Sequence, residues 1–572
     1  MSAAPIISLT NVSFRYRNQS AATLKNINLK ISAGEKVLIT GPSGSGKSTL
    51  GNLLNGVIPE EFPGDLSGRI LINGKKLQEL DVTELSFEVG TVLQDPDAQF
   101  VALTVAEDIA FALENDVRPV SELHQLVAQW AQILHMPELL RQKPQELSGG
   151  QKQRVALAGV LIDNEPLLLL DEPLANLDPA AGKASMELLD RLVTERGLTV
   201  IVIDHRIEEA LQVPFDRMVV LKDGEIAAND SPEMVLKSDV LLENGLREPL
   251  YVTALKDAGI DVSLLTGLAQ LPSLSLSYSE QLQLSNWQEA LALPETKRSV
   301  EPLLKAKGLT FGYPNKAPIF KEFDFTVNAG EMTALVGQNG TGKTTLINLL
   351  TGFLQPQAGE IRMRGRLLND LSVKERAEKI GYVLQDPNQM ISKTLVFDEV
   401  ALGLALRGIS ADEQKQRVGK ILRVTGLYPY RNWPISALSF GQKKRVTIAS
   451  VLVLDPQLLI LDEPTAGQDL AHYSKMMDFL RDLNQKLSVT VLMVTHDMNL
   501  MMSYADRTLV LDQGVLLANA KPAVVLTDPG LIKRAHLSRL SLQDLADKAG
   551  IKDAVVFAEK FTAYERSKHD AY

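Results

Sequence analysis

Short apolar runs that end in glycine or in an acidic residue mark the predicted strands of this 572-residue chain. Residues 36–40 (KVLIT) and 332–337 (MTALVG) are short, β-rich runs that lead into a glycine-rich turn and then into a helical segment. Residues 167–172 (LLLLDE) and 199–205 (TVIVIDH) are almost wholly apolar, which is typical of parallel strands buried on both faces. Strands that alternate with helices in this way predict an α/β fold.

The segment between Gln94 and Leu147 follows a different pattern. Its residues 105–140 (VAEDIAFALENDVRPVSELHQLVAQWAQILHMPELL) place apolar side chains at helical spacing, which predicts a helical subdomain. Residues 231–300 carry five Lys or Arg against nine Asp or Glu and include a polar stretch, which indicates a partly structured connector. The C-terminal residues predict a further helix and a charged tail.

These patterns occur twice along the chain. Residues 41–49 (GPSGSGKST) return as residues 337–345 (GQNGTGKTT) at an offset of 296, whereas the later motifs all return at an offset of 291. Because the later motifs all return at one offset, the sequence predicts a tandem duplication of about 230 residues. A unit of that length fits a whole domain and is too long for a solenoid repeat. The later pairs are residues 147–154 and 438–445, residues 167–173 and 458–464, and His205 and His496.

Composition limits the class of protein. The chain is 45% hydrophobic and 23% charged, and it has no apolar run long enough to span a bilayer unaided. We expect no secretory signal, and the lack of cysteine excludes disulfides, thiolate zinc sites and thiol catalysis. A net charge of −11 disfavours nucleic acid as a partner, because binding a phosphate backbone needs a basic face. The expected compartment is the inside of a cell.

The repeated glycine-rich stretch predicts a phosphate site in each half. In the pattern G-x-x-x-x-G-K-[ST], glycines let successive amides wrap phosphates, and the next helix directs its positive end at them. Lys47 and Lys343 would neutralise the β- and γ-phosphates, while Ser48 and Thr344 would ligate Mg²⁺. A chance glycine turn is the alternative, and two matches placed after strands disfavour it. The other predicted contacts are Gly41, Pro42, Ser43, Gly44, Ser45, Gly46 and Thr49, and Gly337, Gln338, Asn339, Gly340, Thr341, Gly342 and Thr345.

Each half also has two acidic residues at the end of an apolar strand. Asp171 and Asp462 are predicted to hold the Mg²⁺ shell, and Glu172 and Glu463 to act as general bases on an attacking water. Acidic residues at strand ends can instead cap the next helix, but the glycine-rich loops favour the catalytic interpretation.

With LSGGQ before LLLLDE and a histidine after it, the chain resembles the ATP-binding-cassette (ABC) ATPases. The resemblance implies two tandem ABC-type P-loop NTPase domains that bind ATP and Mg²⁺, at residues 6–236 and 303–523. Residues 237–302 would be a connector and residues 524–572 a C-terminal extension. These motifs in this order are highly specific for the family.

The resemblance also implies roles for single residues. Tyr16 and Tyr313 match the aromatic residue that stacks on adenine, and Gln94 and Gln385 match the glutamine that contacts Mg²⁺ and the attacking water. Asp178 and Asp469 match a loop that communicates between cassettes. The remaining matches are His205 and His496, which would hold the γ-phosphate, and the signature residues Ser148, Gly150, Gln151, Ser439, Gly441 and Gln442.

In this family two cassettes pair head to tail, with ATP between the P-loop of one and the signature of the other. The resemblance implies that this pair forms within one chain, joining Lys47 to Ser439 and Gly441, and Lys343 to Ser148 and Gly150. Phe440 stands where the first signature has Gly149, which puts equal activity of the two sites in doubt.

Two similar loops, residues 96–104 and 387–395, follow the two glutamines and carry apolar side chains where solvent is expected. In the transporter branch of the family this surface receives a helix of a membrane partner; inward packing of the side chains is the alternative. The loops resemble those of energy-coupling-factor ATPases, the second one those of fused ATPases for thiamine-precursor uptake. The side chains concerned are Phe100, Val101, Leu103, Met390 and Ile391.

That resemblance implies an ATPase on the cytoplasmic face of the cell membrane, peripheral to a transmembrane subunit and a substrate-capturing membrane protein. The cargo would be a vitamin or a metal ion. Two other readings stay open: a twin-cassette protein that acts on ribosomes, and the fused ATPase of a sugar importer. The acidic connector disfavours the first, since RNA binding needs positive charge.

Overall fold

The computed structural model describes residues 5–175, 177–293, 301–315, 317–465 and 470–570. The chain divides into two compact units, one built mainly from residues 1–287 and the other mainly from residues 288–572. Each unit contains one copy of the duplicated sequence.

The first unit contains two sheets. An antiparallel sheet has the strand order β2-β1-β4-β5, and a mainly parallel sheet has the order β10-β9-β3-β8-β7-β6 with β10 antiparallel at its edge. The strands are β1 (Pro5–Tyr16), β2 (Leu24–Ser32), β3 (Lys36–Thr40), β4 (Gly64–Ile72), β5 (Lys75–Lys76), β6 (Val89–Val92), β7 (Leu167–Asp171), β8 (Thr199–Ile203), β9 (Arg217–Lys222) and β10 (Glu225–Asp230).

The helices of this unit lie between the strands and in the segment after β6. The sequence predicts a helical insertion between Gln94 and Leu147, and α4 and α5 confirm it; α6 begins after that segment. The helices are α1 (Lys47–Leu54), α2 (Val57–Glu60), α3 (Val82–Ser86), α4 (Val105–Asn115), α5 (Val120–Ile133), α6 (Gly149–Leu161), α7 (Pro179–Arg196), α8 (Ile207–Ala210), α9 (Pro232–Lys237), α10 (Val240–Glu243), α11 (Leu250–Asp257) and α12 (Tyr278–Ala290), the last of which extends past residue 287.

The second unit repeats this arrangement. Its sheets have the orders β12-β11-β14-β15 and β16-β17-β18-β13-β19-β20. The strands are β11 (Pro302–Phe311), β12 (Phe320–Asn328), β13 (Met332–Val336), β14 (Ala358–Met363), β15 (Arg366–Leu367), β16 (Ile380–Val383), β17 (Leu458–Asp462), β18 (Thr490–Val494), β19 (Arg507–Asp512) and β20 (Val515–Ala520).

Its helices repeat the first unit up to α20 and then add a C-terminal group. The predicted α/β fold with a helical subdomain in each half is confirmed. The helices are α13 (Lys343–Thr351), α14 (Val373–Arg376), α15 (Val396–Ala405), α16 (Ala411–Val424), α17 (Phe440–Leu452), α18 (Leu470–Leu487), α19 (Met498–Tyr504), α20 (Pro522–Thr527), α21 (Pro529–Ala535), α22 (Ser541–Ala549) and α23 (Ala554–Asp570).

The central strands are apolar because both of their faces are covered. Every residue of β3 and of β8 is buried, and β7 is buried until Asp171, where the strand reaches the edge of the sheet. Since β3, β7 and β8 are parallel, their carboxyl ends share one edge, which collects the side chains that follow them.

Residues 237–287 of the connector fold as part of the first unit. Leu241, Tyr251 and Leu255 are buried, as in a small hydrophobic core. The side chain of Glu248 is fully buried and pairs with Lys256 at 2.7 Å, which satisfies one of its oxygens. Among the described residues no helix is both long and apolar enough to cross a bilayer.

Glu165 is a buried carboxyl two residues before β7, beside a cavity of about 420 Å³ that Trp130 and Arg196 also line. One of its oxygens has no hydrogen-bond partner. Burial raises the pKa of Glu165 from its ordinary 4.5 to about 7.

A group whose pKa is raised by folding favours the folded state while it is protonated. The contribution of Glu165 is therefore complete below pH 4.5 and is lost as the pH rises through about 7. Glu165→Gln should raise the free energy of unfolding by up to about 3 kcal/mol above pH 8 and leave it nearly unchanged at pH 4.

Calorimetric unfolding of the full chain between pH 4 and 9 checks this expectation. Glu195→Gln, which changes an exposed carboxylate nearby, is the matched control and should leave the pH profile unaltered. An unchanged profile in Glu165→Gln would show that this carboxyl stays hydrated in solution.

Candidate functional site

The glycine-rich loop of each unit joins a buried strand to the first turn of a helix. In the first unit the ammonium of Lys47 donates to the carbonyl oxygens of Gly41 at 2.7 Å and Pro42 at 3.0 Å. In the second, Lys343 donates to Gly337 at 2.7 Å and to the next carbonyl at 2.9 Å. Each lysine is thus folded over the loop, where its charge faces the position predicted for the phosphates.

Glycine is required in this loop by close approach and by backbone conformation. A Cβ atom on Gly41 would lie 2.3 Å from the carbonyl oxygen of Leu221, which no side chain tolerates. Gly46 has a φ of +100° at the start of α1, in the region that favours glycine. A Cβ on Gly44 would meet nothing within 4 Å, so one side of the loop is open. An open, amide-lined loop at a helix N-terminus suits a phosphate chain.

The predicted magnesium ligands of the first unit lie together. The side chain of Ser48 lowers the pKa of Asp171, and Oδ1 of Asp171 is buried without a hydrogen-bond partner. Burial, aided by the charge of Glu172, raises the pKa of Asp171 to about 6. Hydroxyl and carboxylate oxygens are the donors that Mg²⁺ prefers, and an unsatisfied buried carboxylate oxygen fits a cation there. Ser48, Asp171 and Gln94 would hold Mg²⁺, which when bound neutralises charge on the phosphate oxygens.

Glu172 follows β7 in a strained conformation and is fixed by two neighbouring side chains. Its φ is +47°, uncommon for a residue other than glycine, and its amide donates to Ile203 at 2.8 Å. Its carboxylate accepts from the amide of Gln94 at 2.8 Å and lies 3.5 Å from Nδ1 of His205.

The pKa values in this cluster keep Glu172 in its proton-accepting form. Burial alone would raise the pKa of Glu172, but the hydrogen bond and charge of His205 outweigh it, and the pKa is lowered. Burial would likewise lower the pKa of His205, whereas Glu172 and Asp204 raise it. An ionised carboxylate oriented by two partners is suited to accept a proton from water.

The second unit has the same arrangement with different supporting residues. Glu463 has a φ of +41°, and its carboxylate lies 2.8 Å from Nδ1 of His496. Asp462 accepts from the hydroxyl of Tyr382 at 3.1 Å, and burial raises its pKa. Thr344 begins the helix after the loop in the position of Ser48, and Gln385 lies in an exposed loop as Gln94 does.

Each predicted adenine-stacking tyrosine lies beside the glycine-rich loop of its own unit. The hydroxyl of Tyr16 is 3.0 Å from Oγ1 of Thr49, and that of Tyr313 is 3.4 Å from Oγ1 of Thr345. Tyr313 is 37% exposed, so its ring is accessible to a planar ligand.

The signature residues form helix caps. Ser148 is the N-cap of α6 and donates its amide to the side chain of Gln151 at 2.8 Å; Ser439 and Gln442 do the same for α17 at 2.9 Å. The two glutamine side chains thus fix the helix starts, a role that the sequence prediction did not include. Asp178 caps α7 through the amide of Ala181, whereas Asp469 lies outside the described residues.

Comparison with known proteins places this geometry in a family. The family model described as ABC transporter matches residues 24–175 and 320–466, and one described as ATP-binding cassette cobalt transporter matches residues 238–311. A relative from Lactiplantibacillus plantarum named as an ABC transporter ATP-binding protein is 55% identical over 98% of this chain and 99% of its own length. The chain belongs to the ABC transporter family. It is an ATP-binding protein with two cassettes, and these cassettes are ATPases.

A second relative and one solved structure are also similar in sequence. A relative of the same name from Enterococcus faecalis is 51% identical over 98% of this chain and 99% of its own. The solved cbiO1 from Clostridium perfringens, part of the ABC transporter complex cbiONQ, is 34% identical over 41% of this chain and 94% of its own. Its TM-score of 0.38 is too low to add anything about the fold.

The two ATPase sites differ at positions that sequence reasoning missed. Lys444 is buried on α17 and donates to the carbonyls of Leu384 at 2.7 Å and Gln385 at 2.6 Å; burial lowers its pKa to about 8. Its counterpart Gln153 donates instead to Pro173 at 2.8 Å. At this position the second cassette ties its glutamine loop to α17, whereas the first ties α6 to the segment after Glu172; the first glutamine loop contacts α6 through Asp97 and Lys152 at 2.7 Å instead. Comparing the two halves at this position is the signal that would have found Lys444.

The loops after the two glutamines owe their shape to a carboxylate of the following helix. Oδ1 of Asp108, on α4, accepts from the amides of Val101 at 2.9 Å and Ala102 at 3.2 Å. Glu399, at the equivalent place on α15, accepts from Ser392 at 2.9 Å and Lys393 at 2.7 Å. Both ABC cassettes thus fix this loop from the helical subdomain.

Fixing the loop leaves part of its apolar surface in solvent. Val101 is 63% and Leu103 79% exposed, while Phe100 and Ile391 are half-buried. Met390 differs from the expectation that it lines an outer groove, because its sulfur accepts the amide of Leu384 at 3.2 Å and so packs against its own loop. Outward exposure is strongest in the first cassette.

Proposed function

We propose that this ABC ATPase energises a membrane importer of the energy-coupling-factor type, with a vitamin or a metal ion as cargo. The observation that carries the proposal is the pair of fixed loops, each beside a catalytic glutamine and, in the first cassette, with apolar side chains in water. A helix of a transmembrane subunit is the partner whose chemistry matches that surface. The match of residues 238–311 to the model described as an ATP-binding cassette cobalt transporter supports this subfamily.

The proposed cycle uses differential affinity for one closed state. ATP and Mg²⁺ bound at Lys47 would also contact Ser439 and Gly441, so nucleotide favours closure of the cassettes; Lys343 would work with Ser148 and Gly150 in the same way. Removing the γ-phosphate through the general bases Glu172 and Glu463 then releases the pair. The peripheral site of action is the cytoplasmic face of the membrane, beside a substrate-capturing membrane protein.

Two alternatives make different demands on the chain. Action on ribosomes requires a basic surface for RNA, yet residues 231–300 carry more acidic than basic groups. The fused ATPase of a sugar importer usually has a second site that departs further from the catalytic pattern, whereas both glutamates and both histidines are present here.

Co-purification of the tagged chain from its own cells tests the proposal. We expect small hydrophobic membrane proteins in the detergent-solubilised complex and no ribosomal proteins. Recovery with ribosomes, or with no membrane protein in several mild detergents, would contradict the assignment.

Phe440 offers a test of the paired-cassette model. Its ring is 44% exposed at the start of α17, where the first signature has a glycine. Phe440→Gly should change the turnover of the site that contains Lys47 about two- to tenfold and leave the other site unaltered, because only one signature changes. Single-turnover hydrolysis measures each ATP site separately when the other is silenced by Glu172→Gln or Glu463→Gln. If Phe440→Gly leaves the kinetics of both sites identical, the difference between the two signatures has no effect.

A further inference from the structure

The connector and the C-terminal extension are the parts of this chain that the duplicated cassettes do not share. They have no common sequence pattern: the connector reaches its cassette through a loop at residues 267–270, and the extension through the long helix α23. The connector up to residue 287 lies in the same compact unit as α8, and α23 lies in the same unit as α19. Both contact the short helix that follows the catalytic histidine.

In the first unit that helix is α8, two residues after His205. The side-chain amide of Gln270 donates to the carbonyls of Leu211 at 2.8 Å and Val213 at 3.1 Å, just past the end of α8. The amide of Leu250 donates to Glu208, within α8, at 3.1 Å. The connector therefore holds α8 at two points, which we call the connector clamp (Leu250 and Gln270).

Hydrogen bonds within the first unit fix the loop that carries Gln270. The buried hydroxyl of Tyr251 donates to the carbonyl of Leu268 at 2.6 Å, and the amide of Ala269 donates to Glu233 at 2.8 Å. The peptide group between Leu268 and Ala269 is thus held at its carbonyl and at its amide, and this fixes the chain just before Gln270.

In the second unit the equivalent helix is α19, two residues after His496. The guanidinium of Arg566, on α23, donates to the carbonyls of Met502, at 3.1 Å, and Ser503. Phe557 and Phe561 are buried and anchor α23 to its unit. We call this contact the tail clamp (Arg566).

The two clamps bind backbone carbonyls at equivalent positions of the two halves. At the constant offset of 291, Leu211 corresponds to Met502, and each accepts a hydrogen bond from an appended segment. The last carbonyls of a helix have no partner within it, and a donor there, above all a cationic one, stabilises the end. Two unrelated sequences that satisfy the same orphan carbonyl indicate a shared requirement of the cassette.

That requirement is placement of the histidine. Five residues lie between His205 and Leu211 and five between His496 and Met502, and most of them are helical, so each segment moves nearly as a rigid body. His205 and His496 lie beside the carboxylates of Glu172 and Glu463, so a rotation of the helix changes those contacts.

We propose that Gln270 and Arg566 are positioning residues, through which the connector and the C-terminal extension set the place of His205 and His496. Neither belongs to the motifs predicted to bind nucleotide. The assignment rests on the proposed role of the two histidines. It adds a function for the two appended segments, which give each cassette its own control point outside the sequence motifs of the site.

Two measurements on the full chain test the clamps. Gln270→Leu and Arg566→Met remove the donors. The controls each remove a contact of the same appended segment that does not reach the helix: Lys222→Met removes the contact with Glu243 of the connector, and Glu559→Gln removes the contact of α23 with Lys521. Hydrogen–deuterium exchange of residues 206–213 should rise about fivefold in Gln270→Leu, and that of residues 498–505 in Arg566→Met, with no rise in the controls. Unchanged exchange would overturn the proposal.

The second measurement is a crossed double-mutant cycle on ATP turnover. Gln270→Leu should lower kcat about three- to tenfold in His496→Ala but add nothing in His205→Ala; Arg566→Met should show the reverse. Equal effects in both histidine backgrounds would mean general destabilisation and would also overturn it. Gln270→Lys and Arg566→Lys keep a donor and should retain most of the activity. If the apolar variants fold poorly, the lysine variants replace them as the test.

The outcomes separate this inference from the proposed function. If His205→Ala and His496→Ala leave turnover intact, the roles assigned to the histidines fail, while the exchange data still report whether the clamps hold the helices. If the histidine variants are inactive but exchange is unaffected by Gln270→Leu and Arg566→Met, the clamps alone are refuted.

Discussion

Glu172→Gln combined with Glu463→Gln is expected to reduce ATP hydrolysis at least a hundredfold while leaving ATP binding intact. A general base contributes about two to four orders of magnitude, and glutamine keeps the shape of glutamate without accepting a proton. The lysines that face the phosphate position, Lys47 and Lys343, are untouched. Phosphate release gives the rate, and equilibrium binding of ATP with Mg²⁺ gives the affinity.

The double variant should also accumulate in the closed state, because nucleotide that favours closure is no longer removed. A decrease in radius of gyration on adding Mg-ATP, which persists in the variant and decays in the unsubstituted chain, would show this. Glu187→Gln is the matched control, since it changes an exposed carboxylate paired loosely with Lys183 at 3.8 Å. Hydrolysis at the original rate in the double variant would remove both glutamates as bases.

The sequence predicts that the candidate catalytic residues lie together, because they follow strands that must be neighbours. Lys47, Glu172 and His205 come after β3, β7 and β8, and the carboxyl ends of adjacent parallel strands meet at one edge of the sheet. Strand identity and chain order therefore suffice to bring these side chains together. Gln94 follows β6 at the same edge, which places its amide 2.8 Å from the glutamate.

Other parts of the site depend on contacts that leave no local pattern. Lys444 binds carbonyls 59 and 60 residues away, and Gln270 binds carbonyls 57 and 59 residues away. A side chain that donates to backbone carbonyls places no demand on the residue type of its partner, so neither end of the contact appears in the sequence. The capping role of Gln151 and Gln442 is different: serine followed three residues later by glutamine before a helix is itself a capping signal.

The connector shows a limit of composition-based reasoning. Its polar stretch predicts partial structure, yet Tyr251, Val252 and Leu268 are buried and its loop at residues 267–270 is fixed by hydrogen bonds. The helical segments between its turns are too short for a periodic pattern of apolar residues to be recognised. What fixes it is contact with the first cassette, which the sequence alone does not reveal.

Leu103→Asp combined with Ile391→Asp is expected to abolish transport and release the chain from membranes without lowering its basal ATP hydrolysis. Apolar side chains that dock against a membrane subunit can be exposed to water in the free chain. A carboxylate in their place would be buried without a partner on docking, which costs several kcal/mol of binding free energy. Leu103 is 79% exposed, so aspartate there removes no packing from the cassette. Sedimentation with membranes, uptake by intact cells and hydrolysis by the purified chain give the three readouts.

The fixed geometry of the loops makes this a test of the surface rather than of the fold. Asp108 and Glu399 hold the loop backbone through amides, which a change of side chain at residue 103 or 391 does not remove. Val120→Asp is the matched control, because Val120 is 66% exposed at the start of α5, where an acidic residue also suits the helix dipole. Membrane attachment and transport retained in the double variant, with the control behaving identically, would assign the docking surface to another part of the chain. Attachment lost together with basal hydrolysis would mean that the loops serve the catalytic glutamines first and any partner second.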